Sequence, residues 1–291
     1  MTGNPASLFG ALAAALGRAV ARTPAAAVHG GCISRSWRWE TAAGPVFVKE
    51  APADGLDMLE AERQGLLELQ SASAVRVPTP LATGAFDGGA FLALEWIDFG
   101  ETSAPADERL GEQLAALHRH RAARFGLERD NTVGSTAQPN AWCSDWVAFW
   151  RERRLGFQLD LAAAAGHGSR LQERGRRLMD CLDVFFATYR PAPSLLHGDL
   201  WGGNRGVDVT GQPVIYDPAV YYGDRESDLA MTRLFGGFGR AFYDAYESEW
   251  PLPSGHRQRS DLYQLYHVLN HLNLFGSGYL GRARELINRL I

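Results

Sequence analysis

The feature that most constrains how this chain can fold is a change of texture near residue 98. Before it, apolar residues alternate over short runs separated by turn residues. After it, they recur at helical spacing over long runs. Residues 36–41 (SWRWET) alternate, Ala42-Ala43-Gly44-Pro45 supplies a turn, and residues 46–49 (VFVK) read as a second strand. Residues 57–70 have helical spacing, broken at 77–80, and residues 81–85 and 90–97 read as a hairpin around Asp87-Gly88-Gly89. Beyond 98, residues 109–121, 142–164, 170–189, 228–235, 240–250 and 258–275 read as helices. One hairpin interrupts them, with strands at 206–209 and 213–216 and a turn at Thr210-Gly211. The expected class is therefore α+β: a small antiparallel β-rich lobe with one long helix (residues 1–97) before a large, mainly helical lobe (residues 98–291), with a hinge near residues 95–99.

Charge and cysteine usage remove several classes of function. Lys and Arg number 29 against 33 Asp and Glu, a net charge of −4, which argues against a nucleic-acid or anionic-membrane binder. Three cysteines (Cys32, Cys143, Cys181) are too few and too scattered for a disulfide framework or a cysteine-rich zinc site. No stretch of about 18 uncharged apolar residues occurs. The Ala-rich run at 8–20 contains Arg18 and lacks a preceding basic segment, so it reads as a surface helix rather than a secretion signal. The expectation is a cytoplasmic protein without nucleic-acid or membrane partners.

Three motifs mislead. Residues 276–281 (GSGYLG) fit the spacing of a dinucleotide-binding loop, but a helical run precedes them and too little chain follows for a βαβ unit, so a helix–turn–helix corner is expected. His267 and His271 lie four apart on a helix, yet no Glu follows His267 and no third ligand is evident, so packing or hydrogen bonding is their expected role. His118 and His120, two apart, do not share a helix face.

The chemistry-bearing stretch is 195–238, LLHGDLWGGNRGVDVTGQPVIYDPAVYYGDRESDLAMTRLFGGF. Asp199 is followed five residues later by Asn204, and Asp217 closes the hairpin after it. An antiparallel hairpin returns the chain to its start, so Asn204 at its entrance and Asp217 at its exit are expected near each other, with Asp199 within reach. Two carboxylates and an amide oxygen suit a hard divalent ion and a base that orients a hydroxyl, the catalytic-loop arrangement of phosphoryl transfer. The upstream partner is Lys49, at the end of a strand. Its carboxylate is expected to be Glu62, which falls on the apolar stripe of Met58, Leu59, Leu66 and Leu69, whereas Glu60 falls off it. A carboxylate on the buried side calls for a pairing cation.

These residues resemble the fructosamine kinase (ketosamine 3-kinase) family, within the protein-kinase-like superfamily that includes aminoglycoside phosphotransferases and choline kinases. The resemblance is carried by HGDLWGGN, YDPA, YYGDRE and DLAMTRLFGGF, with further matches at 30–34, 45–49, 110–119, 125–142, 149–159 and 262–280. It implies a bilobal protein-kinase-like fold and phosphorylation of a ketosamine 3-hydroxyl by ATP and Mg²⁺, a deglycation reaction on small ketosamines or glycated protein amines. Carried over residue by residue, Asp199 is the catalytic base and Asn204 and Asp217 are the metal ligands. Lys49 and Glu62 anchor the nucleotide, and Leu94, Glu95 and Trp96 stand where the hinge backbone holds adenine. His197 and Asp228 are expected to brace the loop that carries Asp199. Gly30 and Gly31 allow close backbone approach to phosphate, and Cys32 beside them, near Arg35, is a candidate oxidisable thiol. Trp201 is the candidate sugar platform because an indole packs well on a sugar's C–H face, the competing reading being a core tryptophan, and Gln138 and Asn140 are candidate sugar-pocket residues or else only fix the lobe. The alternatives are another small-molecule kinase of the aminoglycoside or choline type, or a kinase fold without catalysis. A monomer or weak dimer is expected.

Overall fold

A computed structural model describes residues 7–28 and 35–291; Gly30, Gly31 and Cys32 lie outside the described residues. The chain divides into two compact units, one of residues up to 102 together with 205–218, the other of 103–204 with 219–291.

The first unit is built on a five-stranded antiparallel sheet. Its strands are β1 (Ala26–Val28), β2 (Arg35–Thr41), β3 (Gly44–Ala51), β4 (Pro80–Phe86) and β5 (Gly89–Glu95), in the order β1-β2-β3-β5-β4. The alternation in β2 and β3 sends Trp39, Val46 and Val48 to one face, where they meet Phe91, Ala93 and Leu12 of helix α1 (Leu8–Leu16). That helix is shorter than the apolar run suggests: Ser7 caps its first turn, and Gly17, left-handed at φ 63°, stops it. Helix α2 (Leu56–Ser71) buries Leu59, Leu66 and Leu69, the stripe read from the sequence.

The hairpin Arg205–Val207/Pro213–Ile215 joins this first unit, far from it in sequence. Ile215 N–H donates to Arg76 O (3.0 Å), Val209 N–H to Asp98 O (3.0 Å) and Gly100 N–H to Val207 O (2.8 Å). Arg76 adds ion pairs to Asp208 of the hairpin and to Glu95 at the end of β5 (2.5 Å). Composition alone attached this hairpin to the helical part of the chain, because its partners are remote residues.

The second unit is mainly helical. Helix α3 (Ala104–His118) begins five residues earlier than the periodicity indicates, because Ser103 caps it and Pro105 suits its first turn. Helix α4 (Trp146–Trp150), capped by Asp145, runs through a π-helical stretch (Arg151–Gly156) into α5 (Phe157–Ala164). Helix α6 (Ser169–Asp180) ends well short of residue 189, and the chain tightens into a 3₁₀ turn at Leu182–Phe186. Helices α7 (Glu226–Leu234), α8 (Arg240–Glu249), α9 (His256–Phe275) and α10 (Leu280–Leu290) complete it. The glycine-rich 276–281 segment is the corner between α9 and α10, with Gly276 at φ 86°. Two ladders of three-residue strands, Asn131–Val133 with Thr136–Gln138 and Ser194–Leu196 with Tyr221–Gly223, are too short for alternation to reveal. The core gathers Trp146, Phe149, Trp150, Tyr221, Tyr263, Tyr266 and Leu269. No helix among the described residues is long and apolar enough to cross a membrane.

Candidate active site

In the first unit, Lys49 sits on β3 with its side chain largely buried between two acidic residues. Its Nζ lies 2.7 Å from Glu62 Oε1 on α2 and 2.7 Å from Asp217 Oδ1 just past the hairpin. Glu60, the other candidate carboxylate on α2, pairs instead with Arg63 (2.5 Å) and accepts from Thr83 (2.6 Å). Burial by itself pulls the Lys49 ammonium down, but Asp217 and Glu62 outweigh it and its pKa is raised. The lysine is therefore a fixed positive charge. Burial pushes the Glu62 carboxyl up, with Lys49 opposing.

Asp217 follows Ile215, the residue paired with Arg205, by two positions, and its backbone is left-handed at φ 56°. Aspartate tolerates that region better than most residues, and the turn delivers its carboxylate to Lys49 while the side chain stays 38% exposed. Leu94 is buried at the end of β5. Glu95 uses its N–H on Thr79 O (2.8 Å) and its carboxylate on Arg76. Trp96 donates from Nε1 to Asp98 (2.8 Å), and the Arg38 guanidinium lies 5.1 Å from its ring centre.

In the second unit, the segment His197–Asn204 is held from below by Asp228 of α7. The two Asp228 carboxylate oxygens accept the backbone N–H groups of His197 and Gly198, each at 2.8 Å. Behind Asp228 stands His118, with Nε2 3.2 Å from Asp228 Oδ2 and Nδ1 2.8 Å from the Tyr246 hydroxyl. Burial alone would raise the Asp228 carboxyl. The hydrogen bond and charge of His118, the charge of His197 and the Gly198 N–H together hold it below the usual carboxylate range. Gly198 is required twice over: its φ is 83°, and a Cβ there would lie 1.9 Å from Ala219 O.

Asp199 receives its local order from Asn204, whose Nδ2 donates to the Asp199 carbonyl (2.9 Å) and, more loosely, to Oδ2 (3.3 Å). With the Asn204 NH₂ group engaged there, its amide oxygen is the atom of suitable chemistry for a cation. The Asp199 N–H faces His197 Nδ1 at 3.3 Å, and His267 Nδ1 on α9 lies 3.9 Å from Asp199 Oδ1. Trp201 is 37% exposed, with its ring over Gly203 (a Cβ there would fall 2.2 Å from the indole) and edge-on to Phe235 at 6.2 Å. The indole is thus seated on backbone with solvent access, not sunk in the core.

For Gln138 and Asn140 the contacts are those of residues that fix the lobe, not of a sugar pocket. Both are fully buried. Gln138 donates to Asn131 Oδ1 and Ala219 O and accepts from the Tyr266 hydroxyl. Asn140 donates to Asn131 Oδ1 and Arg129 O and accepts from Arg154. With both NH₂ groups engaged, these amides fix the 125–142 segment and offer no face to a sugar. The YYGDRE motif is likewise internal: Asp224 accepts from Tyr189 (2.9 Å) and Tyr263 (2.5 Å), and Glu226 pairs with Arg259 (2.8 Å). Sequence reasoning missed His118, Tyr246 and His267 around the loop, since a histidine on a helix carries no sign of what it faces.

Asp217 in the first unit and the Asn204 amide in the second each carry a hard oxygen of the kind a divalent cation takes, and among the described residues no group of three or more His, Cys, Asp or Glu gathers to hold a softer ion.

The sequence profile described as fructosamine kinase matches residues 7–291. The chain belongs to the fructosamine kinase family. It is 42% identical over 271 residues to a protein named probable ketoamine kinase from Synechocystis, covering 91% of this chain and 89% of that one. It is 42% identical over 275 residues to the chloroplastic protein-ribulosamine 3-kinase of Arabidopsis thaliana, covering 94% and 84%. A crystal structure provisionally assigned as fructosamine-3-kinase from Thermobifida fusca superposes with a TM-score of 0.87 at 33% identity, covering 99% of both chains. The protein-kinase-like fold extends to an aminoglycoside phosphotransferase at a TM-score of 0.65 and 14% identity, over 96% of this chain and 97% of that one.

Proposed function

We propose that this family member transfers the γ-phosphoryl group of ATP to the 3-hydroxyl of a ketosamine, either a small metabolite or a glycated protein amine. The observation that carries the reading is the buried Lys49 ammonium held at 2.7 Å by both Glu62 and Asp217. A cation fixed in this way is suited to the α- and β-phosphates of a nucleotide, and the names of the relatives supply the acceptor class.

In this reading, Lys49 binds phosphate oxygens, Glu62 keeps its ammonium aimed, and the backbone of Leu94–Trp96 receives adenine. Gly31 and its neighbours approach the phosphates, with the Cys32 thiol beside them as an oxidisable group. Asn204 and Asp217 hold Mg²⁺, which when bound neutralises phosphate charge. Asp199 accepts the proton of the acceptor hydroxyl as that oxygen bonds to the γ-phosphorus and the bond to the leaving ADP oxygen breaks. The transition state is loose, so aiming the hydroxyl and stabilising charge carry most of the acceleration. Trp201 offers its exposed indole to the sugar's C–H face. His197 and Asp228 keep the loop in register. Cytoplasmic operation as a monomer or weak dimer completes the reading; Cys143 and Cys181 are free thiols, as a reducing compartment would leave them.

The test is a panel of lysine adducts carrying ribulose, erythrulose, fructose or psicose, assayed for ATP-dependent phosphate incorporation beside an aminoglycoside and choline. Transfer to at least one ketosamine is expected. Transfer confined to the aminoglycoside or choline would overturn the substrate assignment, and no transfer to any acceptor would overturn the kinase reading.

A further inference from the structure

His267 lies on α9 beside Asp199, and no step so far uses it. Its side chain is 2% exposed, and its Nδ1 has no hydrogen-bond partner among the described residues. A buried polar atom left unmade is costly, so an orphan in a well-packed core calls for a reason. The acidic group facing this atom is the Asp199 carboxylate, with Oδ1 3.9 Å away. The ring is otherwise pinned. Tyr266 meets it edge-on at 5.1 Å and donates its own hydroxyl to Gln138, while the His267 carbonyl accepts from His271 Nδ1 at 2.8 Å.

We propose that His267 is a positioning residue for Asp199, its Nδ1–H closing onto Oδ1 when the acceptor is bound so that the carboxylate presents one set direction to the hydroxyl. The inference rests on the kinase reading above. Closure needs a movement of about 1 Å to reach hydrogen-bond distance. Asn204 already holds the other oxygen and the carbonyl of Asp199, so an imidazole donor completes the clamp from the opposite carboxylate oxygen.

The local charges favour a neutral donor. Burial, then His271, pull the His267 pKa down to about 3, with Asp228 opposing and the Arg154 cation adding to the fall. The guanidinium of Arg154 is itself buried, 4.1 Å from the Tyr221 ring centre and 5.7 Å from that of Tyr266. A neutral N–H orients a carboxylate without quenching its basicity as an imidazolium would, which suits a group that must accept a proton.

The test compares His267→Leu, His267→Asn and His267→Gln, each first checked for a cooperative thermal transition. The Asn amide can put an N–H where Nδ1 sits; the longer Gln reaches toward the far ring nitrogen. With a ketosamine that the wild type phosphorylates, His267→Leu is expected to lose about ten- to hundredfold in kcat, with KM for ATP within about twofold. His267→Asn recovers most of the loss and His267→Gln does not. An undiminished kcat in His267→Leu, or equal losses in Asn and Gln, would overturn the inference. If the Leu variant fails to fold, the Asn–Gln pair decides alone. A wild type that phosphorylates no ketosamine sinks the functional reading instead, which keeps the two failures apart.

Discussion

Asp199 and Asp228 are carboxylates in one short region with opposite surroundings. Asp199 keeps a side chain 19% exposed, whereas Asp228 is buried and receives two backbone N–H groups and His118. The first is open to solvent and the second holds the backbone of His197 and Gly198. Asp199→Asn is therefore expected to lower kcat by about 10²–10⁴-fold with ATP affinity little changed, as steady-state kinetics would reveal; near-normal turnover would remove Asp199 from the base role. For Asp228 the expectation concerns stability. Its folded-state pKa is depressed, so its contribution is present in full above the ordinary carboxylate pKa and is lost as pH falls through the folded value. Asp228→Asn should cost about 3 kcal/mol near neutrality. In thermal melts from pH 7 downward, the gap between wild type and variant should narrow below about pH 4. A gap that stays constant to the lowest pH would contradict this.

Among the elements, α3 and α8 show how backbone contact reaches the loop. A Cβ at Gly111 on α3 would fall 2.3 Å from Phe242 O and 3.0 Å from Tyr246 N on α8. Backbone atoms cannot swing aside, so Gly111→Ala must push the helices apart. The expected cost is about 1–3 kcal/mol, read as a fall in Tm of about 2–4 °C per kcal/mol; an unchanged Tm would show that the pair has slack. Tyr246 also holds His118, which holds Asp228, so this packing bears on the loop. The long helices were legible because their apolar residues repeat over several turns. The start of α3 at Ala104 was not, since its capping Ser103 precedes the apolar stripe. The three-residue ladders were not legible either, being shorter than any period.

For the whole molecule, the binding reading has a thermodynamic consequence. A ligand that binds only the folded state raises stability by about 2.7 kcal/mol at a hundredfold excess over its Kd. Mg²⁺ with ATP is expected to raise the Tm of the wild type, and ATP with a chelator to raise it less. Lys49→Met should abolish most of the shift, since a buried cation with two acidic partners is lost; an equal shift in the variant would remove Lys49 from nucleotide binding. The division into two units adds a point that composition could not supply. Residues 205–218 fold with the sheet through Arg76, Asp98 and Gly100, and this carries Asp217 to Lys49, 168 positions away in sequence.

The sequence by itself determined the α+β class, the run of helices and the family, and it singled out Lys49, Asp199, Asn204 and Asp217. Those features are written in local periodicity and in residue identity at fixed spacing. It also favoured Glu62 over Glu60, because a carboxylate on an apolar stripe must find a cation. Tertiary structure alone decided that Gln138 and Asn140 are internal ties, that His118 stands behind Asp228, and that His267 faces Asp199. A polar side chain looks the same in sequence whether it meets water, a substrate or a buried partner, and only the packing of remote segments settles which.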